Sequence, residues 1–461
     1  MSFPHLVAHA DQPASSLRPA YFLPIVCLWL LALTTFSAAG RSGSAGLQAS
    51  DWISTAKLAA RAFTLLSLSC LVYWAWSDQR ARRACWQLLP FLLFLVWSLL
   101  SVAWSPMKEF SASQASSLAA LLMLSASIGC VCRSSRDTSL FLAHLSAAML
   151  AYSVIVLTAA FLDFEASGLN HRTGAQGMVH PTAAGATSSL ALILLIACRL
   201  LWDWKWTQVM LAPAVVIHGA LLLLSNSRAA VLLSVSLLIG ACILLNSKAV
   251  VGVIMTSVGV LGSLYLAWDP GIELLGYSSQ VANDYLLRGQ NSQDLATFSG
   301  RADLWTVVWN SFLESPLIGQ GYFMCSATGF VDVWEGPSME TAHNIVLQVL
   351  VSTGMVGGVL FTWAILRPVR LGVRQLEGGP THRRLGGLFV LLSCWYLGWG
   401  MVCESFLGPI QPESVAFFVL VGIVIASGTR SDSSRSATEL AGDGEAGFVM
   451  AASPGAAPCN S

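Results

Sequence analysis

Apolar runs close to 20 residues long recur along the whole chain, separated by short polar turns. Each run approaches the ~20 residues that a helix needs to cross the hydrocarbon of a bilayer. This is the tightest constraint on the fold. In lipid every backbone N–H and C=O must find a partner inside the protein, and only helices and closed barrels achieve that. A membrane barrel would alternate apolar and polar residues over strands of ~10 residues, and no such alternation is present. Composition agrees. The 461 residues are 55% hydrophobic and 10% charged, where a soluble protein would carry roughly 25% charged residues. The chain therefore predicts an all-α, polytopic transmembrane helical bundle.

Twelve candidate spans can be drawn: Tyr21–Ala39, Ala59–Trp76, Cys85–Trp104, Ser113–Val131, Leu140–Leu162, Pro181–Leu201, Trp206–Leu224, Ala229–Asn246, Ala249–Ala267, Asn344–Leu366, Leu385–Leu407 and Val415–Ser427. The second carries Arg61 near its start, and the last is short. Sixteen of the 24 basic residues fall in alternate loops and the two ends, among them Arg80, Arg133, Lys205, Lys248 and Arg374. The positive-inside rule makes that side cytoplasmic, with both termini inside. Ser37-Ala38-Ala39 resembles a signal cleavage site, but the weakly charged stretch before the first run favours a retained span. The segment from Gly428, rich in Ser, Ala, Gly and Asp, reads as a disordered cytoplasmic tail.

Net charge is zero, so no bulk attraction to nucleic acid is expected. The eleven cysteines are scattered and mostly intramembrane, with Cys325 alone in the long outer loop. Cys130 and Cys132 form a lone CxC at a helix end, which favours packing over a metal ligand.

The chemistry is expected in the outward loops. The longest, Asp269–Ala342, holds nine acidic residues and two basic ones, Arg288 and Arg301. After Arg301, the stripe Leu304, Val308, Phe312 predicts an amphipathic helix ended by Pro316. Trp305 and Trp309 flank that stripe, as they would on a helix lying at headgroup depth. A cation in the first turn gains nothing from the helix dipole, so Arg301 points to an anionic partner or to simple solvation. Gly319-Gln320-Gly321 predicts a tight turn.

Ser225-Asn226-Ser227-Arg228 is a second short turn between spans. Ser-Asn-Ser supplies the turn formers, and Arg228 is either a ligand-binding cation or a snorkelling anchor. The loop Asp163–His180 contributes His171, Arg172 and His180, the last just before Pro181 at the mouth of a span. Then comes Thr341-Ala342-His343-Asn344-Ile345, with Thr341 a possible N-cap. The positive end of a helix disfavours imidazolium, so His343 is suited to act as a general base. An interfacial histidine is the plainer alternative. Gly354 and Gly358 on the same helix have the spacing that permits close helix packing.

Three blocks in this order resemble the O-antigen ligase and polymerase superfamily of bacterial membrane glycosyltransferases. They are Leu223 to Ala230 around Ser227-Arg228, Gly300-Arg301 to Gly321, and His343-Asn344 to Gly357; Gly174 to Pro181 resembles a weaker fourth. The resemblance covers about Asn170 to Phe361. The family often has an aromatic residue shortly after His-Asn, where this chain has Val346 and Leu347, and an acidic residue where it has Thr353. It implies a GT-C-like bundle divided into N-terminal helices (1–162), a catalytic region (163–366) with its extracytoplasmic loop (268–343), C-terminal helices (367–427) and a tail (428–461).

The resemblance further implies a glycan donor on polyprenyl pyrophosphate, used at the outer face of the bacterial cytoplasmic membrane, and a sugar or lipid-core acceptor. Arg228 and Arg301 would bind the pyrophosphate, and His343 would deprotonate the acceptor hydroxyl in one inverting displacement. Asn344, His180 and Arg172 would support or bind substrate. No Asp-x-Asp occurs in the outward loops, so arginine rather than a metal is expected to neutralise the leaving group, with no cofactor. Ligase, repeat-unit polymerase and protein-glycosylating enzyme remain open. A transporter of lipid-linked oligosaccharide is the alternative of another class. His144 and His218, two ionisable groups within spans, fit packed hydrogen-bonded roles better than a relay.

Overall fold

The structure, a computed structural model, describes residues 18–36, 52–162, 179–225, 227–245, 301–326, 342–403 and 407–428. Among these residues every regular element is helical. The helices are α1 (Arg18–Leu33), α2 (Trp52–Ala75), α3 (Gln79–Gln87), α4 (Leu89–Leu100), α5 (Lys108–Val131), α6 (Ser135–Leu162) and α7 (Pro181–Leu201). They continue with α8 (Lys205–Leu224), α9 (Arg228–Leu245), α10 (Arg301–Glu314), α11 (Ile345–Gln375) and α12 (Pro380–Gly400). The last is α13 (Pro412–Gly428).

Six of these helices, α2, α5, α6, α7, α8 and α11, are long and apolar enough to cross a membrane. A seventh span results if α3 and the segment from Leu89 to Ala103 count as one, bent by 56°. The bend has a cause. Pro90 has no amide to give and its ring crowds the preceding turn, so the expected span Cys85–Trp104 divides at Leu88. α1, α9 and α13 are apolar but shorter. The first turns of α12 carry Arg383 and Arg384, which shorten its apolar stretch. The expected Ala249–Ala267 span lies outside the described residues, as does most of the long outer loop. α11 also runs past Leu366 to Gln375, so Arg367, Arg370 and Arg374 ride on its final turns rather than in a loop.

The core is built around α13. Every residue from Pro412 to Ser427 is buried, as expected of a helix that is apolar on nearly all sides. α5 packs directly on it, because Gly129 and Gly422 let the two backbones meet. α7 lies against α6, α8, α9 and α12, and α11 lies between α4 and α12. Arg61 is accommodated by donating to Ser113 on α5, 3.0 Å to the hydroxyl and 3.4 Å to the carbonyl. His144 accepts from Trp29 at 3.3 Å and His218 pairs with Ser153 at 3.0 Å. Both histidines are thus packed and hydrogen-bonded.

Candidate active site

α11 is broken in its N-terminal half. Gly354 has φ 66° and ψ −169° inside an otherwise helical run. A break of this kind leaves amides and carbonyls without helical partners. The segment after α10 partners four of them. Gln320 N donates to Val351 O (2.8 Å) and Gly321 N to Ser352 O (3.0 Å), while Met355 N donates to Pro316 O (2.8 Å) and Val356 N to Leu317 O (3.3 Å). The expected turn at Gly319–Gly321 is present, with φ of 71° and 117° at the two glycines. Its role is to dock residues 316–321 into the break. The Gly354/Gly358 spacing therefore does not serve helix packing. A Cβ at Gly354 would run into the Leu317 carbonyl, whereas one at Gly358 meets only the Leu350 side chain.

The N-terminal helices close the other side of this clasp. Trp97 Nε1 donates to Thr353 O at 2.9 Å, and Trp104 Nε1 to Gly319 O at 3.2 Å. Ser101 Oγ accepts from Tyr322 N at 2.9 Å. α10 is the amphipathic helix the sequence predicts. Its stripe Leu304, Val308, Phe312 is buried, and packs with Cys325 and Ala342 against Leu347, Leu350 and Val351 in the N-terminal part of α11. Trp309 stays exposed. Trp305 turns inward instead, donating to Ala342 O at 3.0 Å, so it is a structural clamp rather than a headgroup anchor.

That clamp acts on the residue before His343. Ala342 N is held as well, by Gln348 Oε1 at 3.0 Å. On the other side Asn344, not Thr341, is the N-cap of α11: its Oδ1 accepts from Val346 N (2.9 Å) and Leu347 N (3.2 Å). Thr341 lies outside the described residues. His343, between two pinned neighbours, adopts φ 45° and is half-buried. A left-handed non-glycine residue costs about 1–2 kcal/mol, and such strain persists only where the surroundings over-determine it. Asn344's oxygen is committed to the cap, so its contribution is to hold the backbone that presents His343. Arg301 begins α10 one turn before Trp305, which brings the backbone of Arg301 to the His343 end of α11.

Arg228 is the first residue of α9, and Ser225 closes α8. Ser225 Oγ accepts from Ser227 N at 3.3 Å, the local bond expected of a serine turn. Asn226 lies outside the described residues. The turn rests on α7, where a Cβ at Gly185 would come within 2.6 Å of Ser227 Cβ. His180 caps α7, its Nδ1 accepting from Thr182 N at 3.2 Å; in the neutral ring the proton then sits on Nε2. Arg228 thus follows a turn seated on α7, the helix that His180 caps, whereas Trp305, one turn after Arg301, is tied to the residue before His343. α12 packs on both α9 and α11. Arg172 falls outside the described residues.

The fold is that of a multi-pass membrane protein, all-helical among the described residues, in which a broken helix, a docked turn and a strained histidine meet. Residues 213–362 match the model of the O-antigen ligase family, and this match supports placing the chain in the O-antigen ligase superfamily. The matched segment contains Arg228, Arg301, His343 and Asn344, and begins after Arg172 and His180. No curated protein matches the chain. The match implies a glycosyltransferase-like enzyme in polysaccharide biosynthesis.

Sequence reading misses Trp97, Trp104 and Gln348, and misplaces Trp305. Each tryptophan donates to a carbonyl remote in sequence, of which a tryptophan in an apolar run carries no sign, while Gln348 acts on an amide six residues earlier. The pair of glycines at 319 and 321 was the available signal for the docked turn.

Proposed function

We propose that this protein is an O-antigen ligase-like glycosyltransferase of surface polysaccharide assembly. It moves glycan from a polyprenyl-pyrophosphate donor to an acceptor hydroxyl at the outer face of the bacterial cytoplasmic membrane. The observation that carries the reading is the fixing of His343 in a strained conformation by contacts on both sides, one of them from the helix that Arg301 begins. Enzymes hold reacting groups rigidly because geometry of that quality removes several kcal/mol from a barrier.

In the proposed reaction the imidazole of His343 takes the proton of the acceptor hydroxyl. The acceptor oxygen forms a bond to the anomeric carbon while the bond from that carbon to the phosphate oxygen breaks. Polyprenyl pyrophosphate leaves with the electron pair, and the anomeric configuration inverts. Arg228 and Arg301 neutralise the developing charge, a role for which the planar guanidinium suits phosphate oxygens. Arginine takes the part that a metal plays in many glycosyltransferases. Asn344 holds His343, and His180 and Arg172 support or bind substrate.

The test is complementation of cells lacking the gene with wild type, His343→Ala, Arg301→Ala or Arg228→Ala, followed by analysis of surface and lipid-linked glycans. Long chains retained on the polyprenyl carrier identify a ligase; single repeat units without a ladder identify a polymerase. Wild-type patterns from all three variants at equal expression would refute the assignment and favour a transporter.

A further inference from the structure

Glu413 is a buried carboxylate that the reaction above does not use. It is the second residue of α13 and is 1% exposed. Its Oε2 accepts from the Thr187 hydroxyl of α7 at 3.0 Å, and its main-chain carbonyl accepts from the Tyr396 hydroxyl of α12 at 2.7 Å. One residue thus addresses two helices besides its own.

Stability does not explain a carboxylate here. The first turn of a helix favours an anion, yet desolvating one costs several kcal/mol, and neutral or apolar replacements are often no less stable. The cap of α13 is already served by Ser414, which accepts from Gln411 N at 2.8 Å. Ionisable groups buried among membrane helices are retained mainly for function.

The geometry shows where Glu413 can act. Thr187 lies two residues after Gly185, about 200° around the helix at 3.6 residues per turn. At Gly185 the backbone of α7 supports Ser225 and Ser227, so a Cβ would lie 2.7 Å from Ser225 Oγ. Glu413 therefore grips one side of α7 while the turn leading to Arg228 rests on the other, at nearly the same depth. A shift of α7 carries the start of α9 with it.

We propose that Glu413 is a positioning residue, which fixes α7 through Thr187 and so sets Arg228 for the lipid-linked donor. The inference rests on the donor-binding reading of Arg228. Its test uses the purified full-length protein in detergent with a polyprenyl-pyrophosphate-linked glycan as donor. Thr187→Val removes the hydroxyl, Thr187→Ser keeps it, and Glu413→Gln replaces the carboxyl group with an amide.

Thr187→Val and Glu413→Gln should each raise the donor KM about tenfold, the scale expected from a sub-ångström displacement of a binding group. Acceptor KM should hold, Thr187→Ser should restore donor KM, and the double variant should be no worse than either single. Donor KM within twofold of wild type in both single variants overturns the inference, as does a loss of kcat that follows melting temperature alone. His343→Ala separates the two failures: if it is inactive while donor KM is unmoved in the Thr187 and Glu413 variants, the positioning role falls and the transferase reading stands.

Discussion

Gly354→Ala tests whether the clasp holds the candidate site together. An alanine at φ 66°, ψ −169° occupies a region nearly confined to glycine, at a cost of about 1–3 kcal/mol. The new Cβ also meets the Leu317 carbonyl, so the docked turn must move. Moving it breaks four backbone hydrogen bonds, those of Gln320, Gly321, Met355 and Val356, each with a net value of about 1 kcal/mol. Even about 3 kcal/mol, less than half the combined upper figure, raises the undocked population roughly 150-fold, since 1.4 kcal/mol is a factor of ten.

Cys325 reports that population. It is 1% exposed, sealed beneath α10 with Leu304 and Val351. In a variant keeping Cys325 as the single cysteine, maleimide labelling in detergent should be slow. Adding Gly354→Ala should speed it about a hundredfold or more, with transferase activity falling in parallel. Gly358→Ala is the matched control, because its Cβ meets only the end of the Leu350 side chain at 3.0 Å. Gly358→Ala should label and turn over like wild type. If Gly354→Ala labels Cys325 at the control rate and keeps full activity, the break is not what docks residues 316–321, and the reasoning fails.

Other outcomes follow from the same geometry. His343→Ala should lose about 10²–10⁴ in turnover, the usual contribution of a general base, with an unchanged melting temperature. Asn344→Ala should lower stability by about 1 kcal/mol, as loss of an N-cap does, seen as a lower melting temperature together with reduced turnover; Asn344→Asp should retain the cap and most of the stability. Trp305→Phe keeps an aromatic side chain, though a smaller one, without the N–H that reaches Ala342 O, and should cut turnover while leaving donor KM within twofold, measured in steady-state assays. Trp97→Phe strands the Thr353 carbonyl and should speed Cys325 labelling, though less than Gly354→Ala does.

Much of the architecture is written in local sequence. Apolar run length predicts the helices, because the hydrocarbon thickness and the helical rise are fixed. The 3,4-spaced stripe Leu304, Val308, Phe312 predicts both α10 and its buried face. Ser-Asn-Ser and the two glycines at 319 and 321 announce turns, because turn chemistry involves only neighbouring residues. His343, Arg228 and Arg301 stand out as candidates because polar groups are rare in such a chain.

The tertiary structure alone decides what those pieces do. Gly354 reads as a helix-packing glycine until residues 316–321 are seen to fill the bonds its break leaves open. Trp305 reads as a membrane anchor until its N–H is found on Ala342. Thr341 reads as the cap of α11, yet Asn344 takes that place. Glu413 is inconspicuous until Thr187, 226 residues away in sequence, donates to it. The physical reason is the same in each case. Periodicity and turn preference are properties of a few adjacent residues, whereas a hydrogen bond that rescues a broken helix or grips a carboxylate depends on which distant segment the packed bundle brings within 3 Å.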